Sequence, residues 1–133
     1  YCTPDRGFHE GRLGNSYAGV CPEPAAGDFL NAYADGQLIH AATARLSQAQ
    51  SDRASADQRA EKRDREARGV EDELRNPALT DAQKRELHDR LNRLRSERRA
   101  AIEDGRRADW ARGDAEREVS DLEHRFRPIY GGW

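Results

Sequence analysis

An apolar repeat with a period of seven residues runs, with one break, through most of this chain, and it restricts the fold more than any other feature. In the second half Leu87, Leu94, Ala101, Ala108, Ala115 and Leu122 take one seam position, and Leu91, Arg98, Gly105, Arg112, Val119 and Phe126 take the other. In the first half the seam reads Ile39, Leu46, Arg53, Ala60, Ala67 and Leu74, with Ala42, Ala49, Ala56, Arg63 and Val70. A stripe of this period turns one narrow face of a helix toward a partner helix. Both stripes drift toward Ala in the middle, which lets two backbones approach closely while lowering the area buried per heptad.

The break is Asn76-Pro77-Ala78-Leu79-Thr80-Asp81. Pro77 disfavours helix at Asn76, and Thr80 with Gln83 forms a capping box that starts a new helix. Two helices of nearly equal length follow, at about 28–75 and 81–127, joined by a turn at 76–80 short enough to set them antiparallel. Asp28 is a suitable N-cap for the first, and Pro128 with the Gly131-Gly132 pair is expected to end the second. The fold class is therefore all-α, a long antiparallel helical hairpin of the two-helix coiled-coil type over residues 28–127. A Gly/Cys-rich head, residues 1–27, precedes it, and an aromatic tail, residues 128–133, follows. Folding about the turn brings Leu74 toward Leu79, Ala60 toward Leu94, and the Phe29 end toward Leu122 and Phe126.

Composition agrees with a thin seam, because 35% of the residues are hydrophobic and 36% charged, too few apolar groups for a thick globular core. Against 25 acidic residues stand 23 basic ones, a net charge of −2, so no broad positive field gathers phosphates and nucleic acid is not an expected partner. The charges fall in acid-before-base pairs at helical spacing: Glu61 with Arg65, Asp64 with Arg68, Glu71 with Arg75, Glu86 with Arg90, Asp89 with Arg93 and Glu103 with Arg107. Each adds about 0.2 to 0.5 kcal/mol and marks a solvated face. Arg53, Arg63, Arg98 and Arg112 interrupt the seam. They are expected to lay their stems beside neighbouring Ala residues and pair with flanking acids, since unpaired buried guanidiniums would destabilise so thin a core.

The head carries the only two cysteines. A disulfide between Cys2 and Cys21 would stabilise by about 3 kcal/mol and implies an oxidising compartment. The rival is a metal site of Cys2, His9 and Cys21 with Glu10, although its spacing fits none of the compact zinc patterns. Gly7, Gly11 and Gly14 are three or four residues apart, so on a short helix they form a smooth stripe for close backbone approach, with Phe8 and Leu13 for apolar contact. A phosphate loop would need the Lys-Ser/Thr ending that is missing here.

The Tyr1-Cys2 start, the spaced glycines, Tyr17-x-x-Val20-Cys21-Pro22 and Phe29-x-x-x-Tyr33-x-x-Gly36 together resemble a bacterial family called domain of unknown function 2799, over Tyr1 to Gln37. Members of that family look like envelope lipoproteins or exported proteins. The resemblance implies a periplasmic or outer-membrane-associated location in a bacterium and supplies no activity, because its Gly, aromatic and Cys positions look structural. The family's earlier Gly-rich repeat and export signal are not in this sequence. The chain begins at Tyr1 and has no Met, as expected of a processed chain or a piece of a longer one. Its apolar stretches fall short of the roughly 18 residues of a membrane span, so membrane association is expected only through an upstream anchor outside this sequence.

An enzyme needs a nucleophile, a base and oxyanion donors converging on a cleft, and the sequence offers no such arrangement. No catalytic residue, metal or cofactor is implied. The expected function is that of a non-enzymatic structural or adaptor protein of the envelope, working through helix-mediated contacts with another protein or with a second copy of itself. Tyr17, Tyr33, Phe126, Tyr130 and Trp133 are the candidate anchors, and the plainer reading of the same residues is a satellite core under the head. Two other functions stay open: a metal-binding or redox module at the cysteines, and a peptidoglycan or membrane-surface binder.

Overall fold

Thr3 begins the ordered structure by capping a helix, and its hydroxyl accepts from the Arg6 amide at 3.3 Å. The computed structural model describes residues 1–133, all of whose regular elements are helices: α1 (Pro4–Arg12), α2 (Ala25–Glu73) and α3 (Asp81–Tyr130). Pro4 sits where its missing amide is not needed, and Asp5 faces the positive end of the helix dipole. Gly14, at φ +77°, closes α1: its amide bonds to the Gly11 carbonyl at 3.0 Å, and the Asn15 amide reaches back to Glu10 at 3.0 Å. These two bonds form a Schellman cap, with glycine in the left-handed position that such a cap requires.

The first long helix starts three residues before Asp28. Its opening turn winds from the prolines, with the Ala26 amide on the Pro22 carbonyl at 2.9 Å and the Gly27 amide on Pro24 at 3.2 Å. Asp28 therefore lies inside the first turn, not at the cap, and stabilises the turn through the helix dipole. The capping box at Thr80 is complete. The Thr80 amide donates to Gln83 Oε1 at 2.9 Å and the Gln83 amide to Thr80 Oγ1 at 3.1 Å.

The far end of α3 departs from expectation, because Pro128 lies within the helix, which continues to Tyr130. A proline so close to the end removes a single helical hydrogen bond. The last turn is held in other ways: the Gly131 amide bonds to Arg127 at 2.8 Å, Tyr130 stacks on Phe8, and its hydroxyl donates to Asp35 at 2.7 Å.

The chain divides into two compact units, the first formed by Tyr1–Gln48 with Ala111–Trp133 and the second by Ala49–Trp110. The core of the first unit is Phe8, Ala32, Ile39 and Phe126, with Leu122 and Tyr130 packed against it. That of the second is Ala67, Val70, Leu91 and Leu94, flanked by Leu74 and Leu87. Every seam position named above is buried or half-buried except Arg98.

Ion pairs link the two helices in the second unit: Arg53 to Asp109 at 3.7 Å, Arg59 to Asp104 at 3.1 Å, Arg63 to Glu97 at 2.7 Å and Arg95 to Glu71 at 2.9 Å. As the number rises along α2 its partner's number falls along α3, so the two segments run in opposite directions. Arg53 also donates to the Gly105 carbonyl at 3.3 Å, and Arg98 reaches Asp64 at 3.6 Å. In the first unit Arg112 pairs with Glu116 at 2.9 Å. All four seam arginines thus pair with acids, as their charge demands.

Of the acid-before-base pairs, Asp64 with Arg68 forms, at 2.6 Å. Glu61 with Arg65, Glu86 with Arg90 and Asp89 with Arg93 form no ion pair, and in the other two the bonding goes to other partners. Glu71 is taken by Arg95 of the opposite helix, Arg75 turns to Asp72, and Arg106 and Arg107 turn back three residues to Glu103 and Asp104.

Candidate interaction site

Residue-specific chemistry is concentrated in the first unit, where α1 lies across α2. A Cβ added to Gly7 would collide with the Phe29 carbonyl, one on Gly11 with the Tyr33 carbonyl, and one on Gly36 with the Phe8 carbonyl and the Arg12 amide. Two glycines of α1 and one of α2 thus bring the backbones into direct contact, an approach that no other residue allows. Gly14 is not part of the stripe, because α1 ends at Arg12. It serves the cap instead, with the His40 ring packed beneath it.

Cys2 and Cys21 are joined, with their Cα atoms 5.6 Å apart. The bond ties the residue before the α1 cap to the far end of the following loop, and it leaves no thiolate for the rival metal site. Aromatic residues hold the loop down. The Cys21 amide donates to the Tyr17 hydroxyl at 3.1 Å, the Tyr17 ring lies 5.1 Å from Phe29, and the Tyr33 hydroxyl donates to the Asn15 carbonyl at 2.7 Å. Tyr1 packs on the same Phe29 at 5.1 Å. Glu10, buried in α1, accepts from Asn15 at 2.8 Å and pairs with Arg6 at 3.0 Å. Its charge is thereby satisfied within the unit.

A second ring cluster centres on Phe8, which meets Tyr130 at 4.2 Å in a stack, Trp133 at 5.0 Å and Phe126 at 5.8 Å. Phe126 is fully buried, so it belongs to the core and offers nothing to a partner. Tyr17, Tyr33 and Tyr130 are half-buried with their hydroxyls engaged, and Trp133 keeps 37% of its surface. Arg12 and Arg127 lie over the Trp133 ring at 5.9 and 5.7 Å. The buried Nε of Arg12 has no hydrogen-bond partner, and the ring face takes part of that role. Burial, and then the bond to Asp35 and the nearby negative charges of Asp35 and Asp5, push the Tyr130 hydroxyl up to about 12.

The site as a whole is a closed platform whose rings face mostly inward. Apart from Trp133, its free apolar surface lies at residues that sequence reasoning did not single out as anchors: Tyr1 and Val20, Leu13 after α1, Leu30 and Leu38 on α2 and Ile129 on α3. In the second unit the corresponding residue is Trp110, 74% exposed. Its signal was available, since it falls outside both seam stripes of α3, where an indole has no helix to cover it. His88 and His124 lie on exposed helix faces, and no group of three or more His, Cys, Asp or Glu side chains is gathered so as to hold a metal ion. No helix is long and apolar enough to cross a membrane.

Residues 1–38 match the model of a family described as Protein of unknown function (DUF2799). The match ends within α2, shortly after Gly36, and so takes in the disulfide, the Schellman cap and all three glycines of the helix crossing. No curated protein and no solved structure matches the chain.

Proposed function

We propose that this chain is a non-enzymatic structural or adaptor protein of the bacterial cell envelope, periplasmic or associated with the outer membrane, that works through helix-mediated contacts with other proteins. On this reading α2 and α3 form an antiparallel coiled-coil hairpin that presents its outer faces, and the disulfide closes the segment that precedes α2. The observation that carries it is the distribution of chemistry. Rings, cysteines and buried polar groups are consumed in holding α1 and its loop, while the long helices expose alternating charge with isolated apolar residues such as Trp110 and Ile129. Helices of this kind recognise partners by laying one face into a groove or against another helix. The disulfide and the family resemblance support an extracytoplasmic location.

Photo-crosslinking in living cells tests the proposal. A photoreactive residue is placed at Trp110 in one variant and at Ile129 in another, and the envelope fraction is analysed for crosslinked species. A discrete partner that disappears when α2 and α3 are shortened by equal whole heptads supports the reading. Absence of any crosslinked protein, with unchanged behaviour of the shortened form, overturns it.

A further inference from the structure

In the unit Ala49–Trp110, one side of the helix pair is an open groove made of two adjoining hollows, of about 420 and 290 Å³, that share Asp64 and Arg98. Its floor is small and apolar, with Ala60 and Ala67 from α2 and Ile102 from α3. Its walls differ in sign. The α2 wall carries Asp57, Glu61, Asp64 and Glu71, and its one base, Arg68, is held by Asp64 at 2.6 Å. The α3 wall carries Arg95, Arg98 and Arg99.

A groove with one acidic and one basic wall is complementary to itself after a half-turn about an axis along the groove, which lays each α2 wall on the α3 wall of the other copy. The levels agree. Arg59 pairs with Asp104 and Arg63 with Glu97, so Glu61 and Arg99 lie at nearly the same height on their two helices. Neither has an ion pair within its own chain, unlike the seam arginines and most of their neighbours. The half-turn sets Glu61 against Arg99 of the second copy, twice, and closes the Ala60 and Ala67 floor against its equivalent.

We infer that the occupant of this groove is a second copy of the chain, joined as a two-fold dimer through the Glu61 and Arg99 walls. The inference rests on the helix-mediated reading above and names one of its partners. Sedimentation equilibrium of the full oxidised chain over a wide concentration range tests it. The expected result is a species of twice the 15.0 kDa chain mass. Glu61→Arg alone, or Arg99→Glu alone, should raise the dimer Kd at least about tenfold, because each places like charges together at two symmetric points. The double variant should recover the dimer, and so should a mixture of the two single variants, since each then meets the opposite charge. A monomer at every concentration, or a dimer whose Kd ignores both reversals, overturns the inference. If that monomer still yields a crosslinked partner of another kind, the adaptor reading survives its loss. A dimer that obeys the charge swap while no other protein is captured confirms the second copy and removes the adaptor role.

Discussion

Around Phe8, in the first unit, three other rings have their centroids within 6 Å and two helices touch backbone to backbone through glycine. Around Ala56, in the second unit, the neighbours of the seam are further alanines, a glycine and the stem of Arg53, and the helix pair is laced by exposed ion pairs. The first arrangement depends on particular residues at particular points. The second depends on a period and on average composition, so many substitutions that keep the period would leave it intact. Specificity of structure is concentrated in one unit, and the family match falls on that unit alone.

Substitutions can break this contrast in graded steps. Phe8→Ala removes the ring on which the whole cluster converges and should destabilise the first unit by about 3 to 5 kcal/mol. Urea denaturation followed by near-ultraviolet circular dichroism measures it, and a loss below about 1 kcal/mol would show that the cluster is not a core. Replacing both Cys2 and Cys21 by Ser should cost about 3 kcal/mol through the loop left open in the unfolded chain, read in the same assay with and without reductant.

Gly36→Ala puts a methyl group against the Phe8 carbonyl, and a shift of α1 away from α2 should destabilise by roughly 1 to 3 kcal/mol. The smaller effects come from a titration and from an open glycine. Tyr130 is held protonated in the folded state, so stability is fully present below pH 10 and falls as the pH rises from 10 toward about 12. With discount for solvent screening at this half-buried site, the slope should amount to no more than about 1.5 kcal/mol. Tyr130→Phe should remove it, and a pH series of melting temperatures compares the two. Gly69 has no atom near the position of a Cβ, so Gly69→Ala should stabilise the second unit by about 0.5 to 1 kcal/mol through helix propensity. The same change of residue type thus carries opposite signs in the two units, and equal signs would refute the contrast.

The long helices were legible because their signals are local or periodic. A reciprocal cap at Thr80 and Gln83 needs only four residues, and a seven-residue stripe survives any error in the exact boundary. The disulfide was legible for want of other cysteines. What escaped depends on contacts between residues distant in sequence. Tyr130 meets Phe8 and Asp35, which carries α3 through Pro128, and nothing near Pro128 in the sequence announces that support. Phe8 is one aromatic among several until α1 is laid on α2, and only then does it become the centre of the cluster while Phe126 turns from anchor to core. Gly36 drew notice only through the family resemblance, since its role is read from the carbonyl of Phe8 opposite it. Pairing among surface charges was the least legible, because Arg side chains reach several acids of similar worth and small differences in rotamer decide between them.

The two tryptophans of this chain are divided between the units, Trp133 under a pair of guanidinium groups beside Phe8 and Trp110 almost bare on α3. The molecule therefore carries its own pair of optical reporters. A Trp110→Phe form would show tryptophan emission only from the first unit and a Trp133→Phe form only from the second. With either one, the unfolding of one unit, or the arrival of anything that covers α3, can be followed by native fluorescence with no attached dye.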